Sequence, residues 1–377
     1  SAKIFSLINK SKTFGVECSD AKVNFIKVQE RKDSVIRQLR QGMQFMLKGV
    51  DVIEGDAKLL SPQDIKVGNQ DIKTSSVLIA CGSVPMEWGG LPFDHRKIVS
   101  SDDILNLQEI PASLLIIGGG VIGCEFAGLF SAFGCQVTIV EKMPQLLPGE
   151  DAEAAKKIET IFKKKGIMVQ TGTDASALDQ NDYSLILVAV GRAPRTAGLG
   201  LEEAGVRLER GSVEVDEYLR TNIPQIFAAG DCTGKKMLAH FAAYQGRLAA
   251  ENIALPGQPK KFSDGCVPNC IFTDPQIAGI GMSEEQAKTK GYDAGTKKFD
   301  FLASGMARIL EETEGFIKIV FDNKTDQLLG AVIIGPQATE LIGILTLAVS
   351  NHLKISDIRK TIFAHPTLSE GIQEAVR

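Results

Sequence analysis

The sequence predicts an α/β protein in which two similar units are followed by a separate α+β domain, and three observations predict it. Residues 114–133 read as an apolar strand, a glycine loop and a helix, the order that builds a parallel sheet. The segment Leu185-Ile-Leu-Val-Ala-Val-Gly191-Arg-Ala-Pro194 repeats the pattern of residues 77–85, an apolar strand followed by Ala-x-Gly-x-x-Pro, so two related units are expected. From Asp264 onward the pattern changes to runs such as 316–320 and 328–334, with helices near Glu285 and Glu340, which read as an antiparallel sheet with helices on one side.

Length and composition agree with this division. A chain of 377 residues is too long for one ordinary domain at about 150 residues each. With 44% hydrophobic and 23% charged residues it has apolar side chain enough for sizeable cores, which excludes disordered and collagen-like classes. The longest apolar runs, such as 328–334, fall far short of the roughly 18 residues a spanning helix needs, so no membrane role is expected. Lys plus Arg is 42 against 46 Asp plus Glu, a net charge of -4, which gives no basic field for nucleic acid. No targeting peptide is visible from Ser1 onward, and the expected location is a bacterial cytoplasm, with a mitochondrial matrix as the alternative. The seven cysteines are scattered in apolar company, as in a reducing compartment. Cys266 and Cys270 form the closest pair, but no histidine lies at metal-ligand spacing, so they read as structural and no metal is expected.

Along the chain, apolar residues at 35, 36, 39, 43, 46 and 47 mark one face of a helix over 33–48, expected to bury that stripe, with Gly49 as its stop. Short strands are expected at 50–53 and 77–80, the latter ending in Cys81-Gly82-Ser83. A polar stretch at 106–111 closes on proline and reads as a boundary. The strand at 114–117 then enters Gly118-Gly119-Gly120-Val121-Ile122-Gly123, which opens a helix over 121–133. A further strand at 137–140 ends in Glu141, eighteen residues after Gly123. Gly118 and Gly120 permit a tight turn and close approach to a pyrophosphate, Gly123 lets the helix pack on the sheet, and the helix N-terminus offers N–H groups to an anion. Glu141 at the strand tip suits both hydroxyls of an adenine ribose, which favours NAD over a 2′-phosphorylated cofactor. This is a Rossmann-like unit. The earlier unit has the closing strand at 77–80 but no glycine loop before it, so it is expected to lack its opening βα unit.

Two further segments carry candidate chemistry. An apolar strand ends in Ala229-Gly230-Asp231, where an acid at a strand's C-terminal end can take hydrogen bonds from sugar or ribityl hydroxyls or simply close a turn. In Ala364-His365-Pro-Thr-Leu-Ser-Glu370, Glu370 can reach back to orient the imidazole for acid–base work. Thr367-x-x-Glu370 is equally a capping box for the last helix.

In this order Gly118 to Gly123 with Glu125, the strand ending at Gly191, Ala229-Gly230-Asp231 and the His365 to Glu370 segment resemble the flavin-dependent pyridine nucleotide-disulfide oxidoreductases over essentially the whole chain. Gly305-Met-Ala-Arg-Ile-Leu310 and Leu329-Gly-Ala-Val-Ile-Ile-Gly-Pro336 are most similar to the branch of that family that oxidises dihydrolipoamide. The resemblance implies two Rossmann-like nucleotide-binding domains, the first incomplete, and a C-terminal α+β dimerisation domain. Its boundaries fall at 1–110 (FAD, first part), 111–196 (NAD), 197–262 (FAD and central) and 263–377 (interface). It implies a homodimer that passes electrons from a dithiol through a disulfide and FAD to NAD+, serving lipoyl-bearing subunits of 2-oxoacid dehydrogenase or glycine cleavage complexes. Residue by residue, Ala57, Cys81, Gly82, Ser83 and Asp231 would touch FAD, as would Met237, Leu238, Ala239 and His240 near the flavin ring. Gly118, Gly119, Gly120, Val121, Ile122, Gly123 and Glu141 would hold NAD, with Glu125 near the nicotinamide and Gly191 and Ala175 lining the same site. His365, oriented by Glu370, would be the acid–base group for the partner subunit's disulfide.

The sequence also departs from that family. The opening strand, glycine loop and helix for the FAD pyrophosphate are not among the 377 residues, and neither is a Cys-x4-Cys pair with its following lysine. Cys81 stands where the family usually has threonine, and residues 171–183 are short for the usual β-meander. Part of this difference is expected to be chain preceding Ser1. The 377 residues alone are expected to bind NAD but to hold FAD poorly. The alternatives are a related NAD(P)H-flavin oxidoreductase without a redox disulfide, of the soluble transhydrogenase kind, and a non-catalytic NAD-binding remnant.

Overall fold

The computed structural model describes residues 1–377, the side chain of residue 177 excepted. Two compact units emerge, one from residues 1–26, 87–190 and 265–377, the other from 27–86 and 191–264. Among the described residues no helix is long and apolar enough to cross a membrane.

The first unit holds two five-stranded sheets. One is parallel, in spatial order Ile98–Val99, Leu185–Val188, Ser113–Ile117, Gln136–Glu141 and Met168–Thr171. Its central strands are apolar at successive positions because both faces are covered, and Leu114, Leu115 and Ile116 are fully buried. Helix Val121–Ala132 leaves strand Ser113–Ile117 through the glycine loop, and its C-terminal turn closes on Gly134 at φ +91°. The second sheet is antiparallel, ordered Asn269–Ile271, Gln276–Gly281, Leu328–Gly335, Phe316–Asp322 and Ala294–Asp300. Helix Ala338–Ser350 buries Leu341, Ile342 and Leu345 in the apolar cluster that includes Ile280, Ile319 and Ile333 of this sheet. The two sheets share a core in which Ile277, Phe316 and Val332 pack with Leu114, Ile116 and Phe162. Lys318 adds a largely buried ion pair to Asp151, at 2.5 Å, and Asp151 also caps helix Ala152–Lys164.

The second unit is built on short pairings. Strands Ala57–Ser61, Asp64–Val67 and Gln70–Lys73 form an antiparallel meander. Strand Val77–Ile79 pairs parallel with Ile226–Ala228, and the two Pro-ended segments of the internal repeat pair with each other, Ser83–Pro85 against Arg192–Pro194. Helix Ala239–Ala254 packs Leu248 and Ala249 against Phe227 and Leu219.

Two local expectations are corrected. Residues 50–53 form no strand and are exposed, since no neighbouring strand pairs with them. The helix expected at 33–48 runs instead from Phe25 to Met46, and its stripe is exposed rather than buried: Val35, Ile36, Leu39, Met43 and Met46 all face solvent. A periodic apolar face reports the capacity to be covered; burial needs an element packed against it.

Candidate active site

In the first unit the glycine loop takes the conformation its residues permit. Gly118 has φ +108°, and a Cβ there would sit 2.4 Å from the Ala189 carbonyl oxygen of the adjacent strand's end. A Cβ on Gly123 would strike the Gly118 carbonyl oxygen, so helix and strand approach each other only with glycine at both positions. Gly120 is different: open space surrounds its missing Cβ, and it is the N-cap of helix Val121–Ala132 with no side-chain capping bond. The helix N-terminus over Val121 and Ile122 is thereby presented without a protein cap, the feature an anionic ligand needs.

Glu141 is buried at the tip of its strand. Its Oε2 accepts the Gly119 N–H at 2.7 Å and its Oε1 accepts the Met143 N–H at 2.7 Å. The carboxylate therefore clamps the loop to the neighbouring strand, and each oxygen keeps one further lone pair for a hydroxyl donor. Glu125 turns its Oε1 to the Phe272 N–H at 2.8 Å. Burial pushes its carboxyl above the usual range, with the Phe272 N–H acting in the opposite sense. Cys124, between loop and core, is raised by burial and then by the charges of Glu141 and Glu125, which keeps it an inert thiol. Ala175 buries its methyl in the apolar cluster of Leu115 and Val140, so only its backbone remains for a ligand. No strand forms between 171 and 185, where two short 3₁₀ turns connect the sheet strands.

His365 and Glu370 meet within one short turn, which contains the cis His365–Pro366 bond. His365 Nδ1 lies 2.9 Å from Glu370 Oε1, while Glu370 Oε2 accepts the Thr367 N–H at 2.8 Å. The Thr367 hydroxyl donates to the Ala364 carbonyl and accepts no N–H of the following helix among the described residues, so the capping box is formed on the glutamate side alone. The Thr367 N–H, followed by His365, holds the Glu370 carboxyl below its ordinary range. An ionised acceptor on Nδ1 places the neutral ring's proton there and leaves Nε2 as the basic nitrogen, on a side chain that is 80% exposed.

In the second unit, Ser83 and Asp231 meet although 148 residues separate them: the serine hydroxyl donates to Asp231 Oδ2 at 2.6 Å. Arg192, which sequence reasoning did not single out, donates from Nε to the Ser83 hydroxyl at 2.8 Å and from Nη2 to the Ser83 carbonyl at 2.9 Å. Its signal was its place right after Gly191 in the repeated pattern. Gly82 and Gly230 have φ +73° and +81°, and a Cβ on Gly230 would press on Ala242 at 3.1 Å. Gln245 was also missed: it accepts the Gly230 N–H at 2.8 Å, while its buried Nε2 finds no hydrogen-bond partner among the described residues. Met237 and Leu238 lead into helix Ala239–Ala254, which begins without a side-chain cap and carries His240 in its first turn. Ala57 opens the meander, and Gly191, at φ +131°, accepts the Met86 N–H, so both lie in this second unit.

Comparison with known proteins decides the family. Residues 5–246 match the model described as pyridine nucleotide-disulphide oxidoreductase, and residues 267–376 match the dimerisation domain of the same family. The chain belongs to the pyridine nucleotide-disulphide oxidoreductases. It is 39% identical to the dihydrolipoyl dehydrogenase of Chlamydia pneumoniae, over 98% of this chain and 84% of that protein. It is 38% identical to that of Bacillus subtilis, over 100% and 87%, and 41% identical to that of Thermus scotoductus, over 91% and 79%. Among solved structures, LpdA from Mycobacterium tuberculosis superposes with a TM-score of 0.90 at 28% identity, covering 100% of this chain and 87% of that one. The HOCl-induced flavoprotein disulfide reductase RclA from Escherichia coli gives 0.85 at 30%, covering 100% and 89%. Members of this family are oxidoreductases that work with FAD and NAD, and the expected fold class, two nucleotide-binding domains and a C-terminal dimerisation domain, is that of the family. The dimerisation-domain match supports a homodimer.

Proposed function

We propose that the chain oxidises a dihydrolipoyl dithiol at the expense of NAD+, and the His365–Glu370 pair is the observation that carries the reading. Relatives at 36–41% identity bear the name dihydrolipoyl dehydrogenase. Oxidation of a dithiol requires that its protons leave, because the thiolate is the nucleophile in exchange. His365 Nε2 is the atom suited to take such a proton: Nδ1 is anchored on an ionised carboxylate at 2.9 Å, and the imidazolium formed would be stabilised by the same contact. Glu370 in turn is fixed by the Thr367 N–H.

The residues present fit both nucleotides. The uncapped helix over Val121 and Ile122, with Gly118, Gly119, Gly120 and Gly123, would receive the NAD pyrophosphate. Glu141 would take the adenine ribose with its remaining lone pairs, Ala175 would line that site, and Glu125 would stand by the nicotinamide. The chain Arg192–Ser83–Asp231, with Ala57, Cys81, Gly82, Met237, Leu238, Ala239 and His240, would hold FAD, and the orphaned Gln245 Nε2 is a buried donor free for a partner there. FAD, when bound, supplies a two-electron carrier between dithiol and NAD+. The seven cysteines include no Cys-x4-Cys pair, so no step of the dihydrolipoyl oxidation is routed through them. Lipoyl-bearing subunits of 2-oxoacid dehydrogenase or glycine cleavage complexes would supply the dithiol, in a bacterial cytoplasm.

The test is His365→Gln assayed as NAD+ reduction by dihydrolipoamide, with thermal unfolding as the fold control. The rate should fall about 10² or more. An undiminished rate in a folded variant would reduce Glu370 to a cap and remove the reading's main support.

A further inference from the structure

We propose that Cys81 and Cys232 form a dithiol/disulfide couple of their own, closed by exchange with a low-molecular-weight disulfide. The two thiols come from the ends of paired strands. Strand Val77–Ile79 lies parallel to Ile226–Ala228 with Ile79 opposite Ala228, so the residues leaving both strands start side by side. Gly82 and Gly230 then turn the chain with positive φ, and Cys232 falls in a one-turn 3₁₀ helix directly above the strand ends. There its Sγ lies 3.2 Å from the Ala229 carbonyl and 3.5 Å from the Ile79 carbonyl, two residues before Cys81. The Cys81 side chain packs against the same apolar cluster that buries Cys232. Two thiols brought to one apolar cluster at the ends of paired neighbouring strands are the arrangement from which a disulfide can close.

The pair is also chemically asymmetric in the way exchange requires. Cys81 is partly exposed and Cys232 is fully buried. The hydrogen bond from Cys232 holds the Cys81 thiol below its ordinary range, against the desolvation of its half-buried site, and the charge of Arg195 acts in the same direction as that bond. Cys232 is raised by the same contact and by burial. Cys81 is therefore the entering nucleophile and Cys232 the resolving thiol. In the first step the Cys81 thiolate attacks one sulfur of RSSR, forming a mixed disulfide and releasing RS⁻, which takes up the Cys81 proton. In the second, Cys232 gives up its proton as its sulfur attacks Cys81 Sγ. The Cys81–Cys232 bond forms and the second RS⁻ leaves with that proton. Two protein thiols are oxidised and one external disulfide is reduced to two thiols.

The bond would join the turn that carries Ser83 to the turn that carries Asp231, two residues already linked by a 2.6 Å hydrogen bond. Redox state would thus act on the geometry of that polar chain.

To test this, the 377-residue protein as isolated is reduced, freed of reductant, treated with glutathione disulfide and quenched with N-ethylmaleimide. Intact mass and non-reducing peptide mapping are then read. Expected is a species lacking two hydrogens whose Cys81 and Cys232 peptides are joined, reversed by dithiothreitol. Cys232→Ser should trap glutathione on Cys81 as a stable mixed disulfide, and Cys81→Ser should yield neither product. If the buried Cys232→Ser variant does not fold, the wild type and Cys81→Ser still decide. A wild type that stops at a Cys81 adduct, leaves Cys81 unmodified, or loses its two hydrogens at Cys266 and Cys270 would overturn the proposal. Exposed Cys18 gives its own adduct, which the mapping separates.

Discussion

At the residue scale, the clearest case of one side chain with two tasks is Glu141. Its identity was legible in the sequence from its spacing to the glycine loop; its hydrogen bond from the Gly119 N–H was not, because that bond arises only when the parallel strands bring the loop beside the strand tip, while the bond from the Met143 N–H is local to the turn. Glu141→Gln would set an amide NH₂ against one of two backbone N–H donors. The expected cost is about 1–3 kcal/mol in urea unfolding, the penalty for a buried donor left without its acceptor. NAD affinity by calorimetry should fall with it. Glu370 gives a pH prediction. Its carboxyl is held low by the Thr367 N–H and then by His365, so the turn's stabilisation is complete above the ordinary carboxylate range and is lost as pH falls through the lowered folded value. A titration of the Glu370 carboxyl followed by NMR should show a midpoint below that of an ordinary glutamate, moving up in His365→Ala. A normal midpoint in the wild type would contradict the geometry.

At the element scale, the helices and strands of the parallel sheet follow from local pattern, since a buried parallel strand is a continuous apolar run and a strand-glycine-helix junction is specific. Helix Ala152–Lys164 shows how an element is tied to its surroundings. Asp151 accepts the Glu153 and Ala154 N–H groups and also pairs with Lys318 of the antiparallel sheet. Asp151→Ala should cost about 1 kcal/mol for the cap, and more in total because Lys318 loses a partner in a largely buried position. Asp151→Asn keeps the cap and should recover about that first portion. Equal losses in both variants would show that the ion pair alone matters. The helix Phe25–Met46 marks the limit of periodicity: its apolar spacing fixed the element type, while nothing in that spacing states whether another element covers it.

At the scale of the whole molecule, the match of residues 267–376 to a dimerisation domain gives meaning to large apolar side chains that the single chain leaves exposed. Phe272, Ile309, Leu347 and Ile362 are each more than half exposed within that domain. Burying such side chains stabilises association by roughly 1.5–3 kcal/mol each. Leu347→Lys together with Ile362→Glu should therefore shift the species seen in sedimentation velocity from dimer toward monomer at micromolar concentration. An unshifted dimer would place the interface elsewhere on the domain.

The sequence by itself determined the fold class, the glycine loop with its partner acid, and the histidine–glutamate turn. Each is encoded by residues close in the chain, where backbone sterics and hydrogen-bond spacing act without help. Tertiary structure decided what depends on contacts between distant segments. It joined Ser83 to Asp231 and Arg192, brought Cys81 and Cys232 to one apolar cluster, turned Glu125 to Phe272, and left the stripe of helix Phe25–Met46 uncovered. No local periodicity carries such information, because partners more than a hundred residues apart are chosen by strand order and register rather than by spacing along the chain.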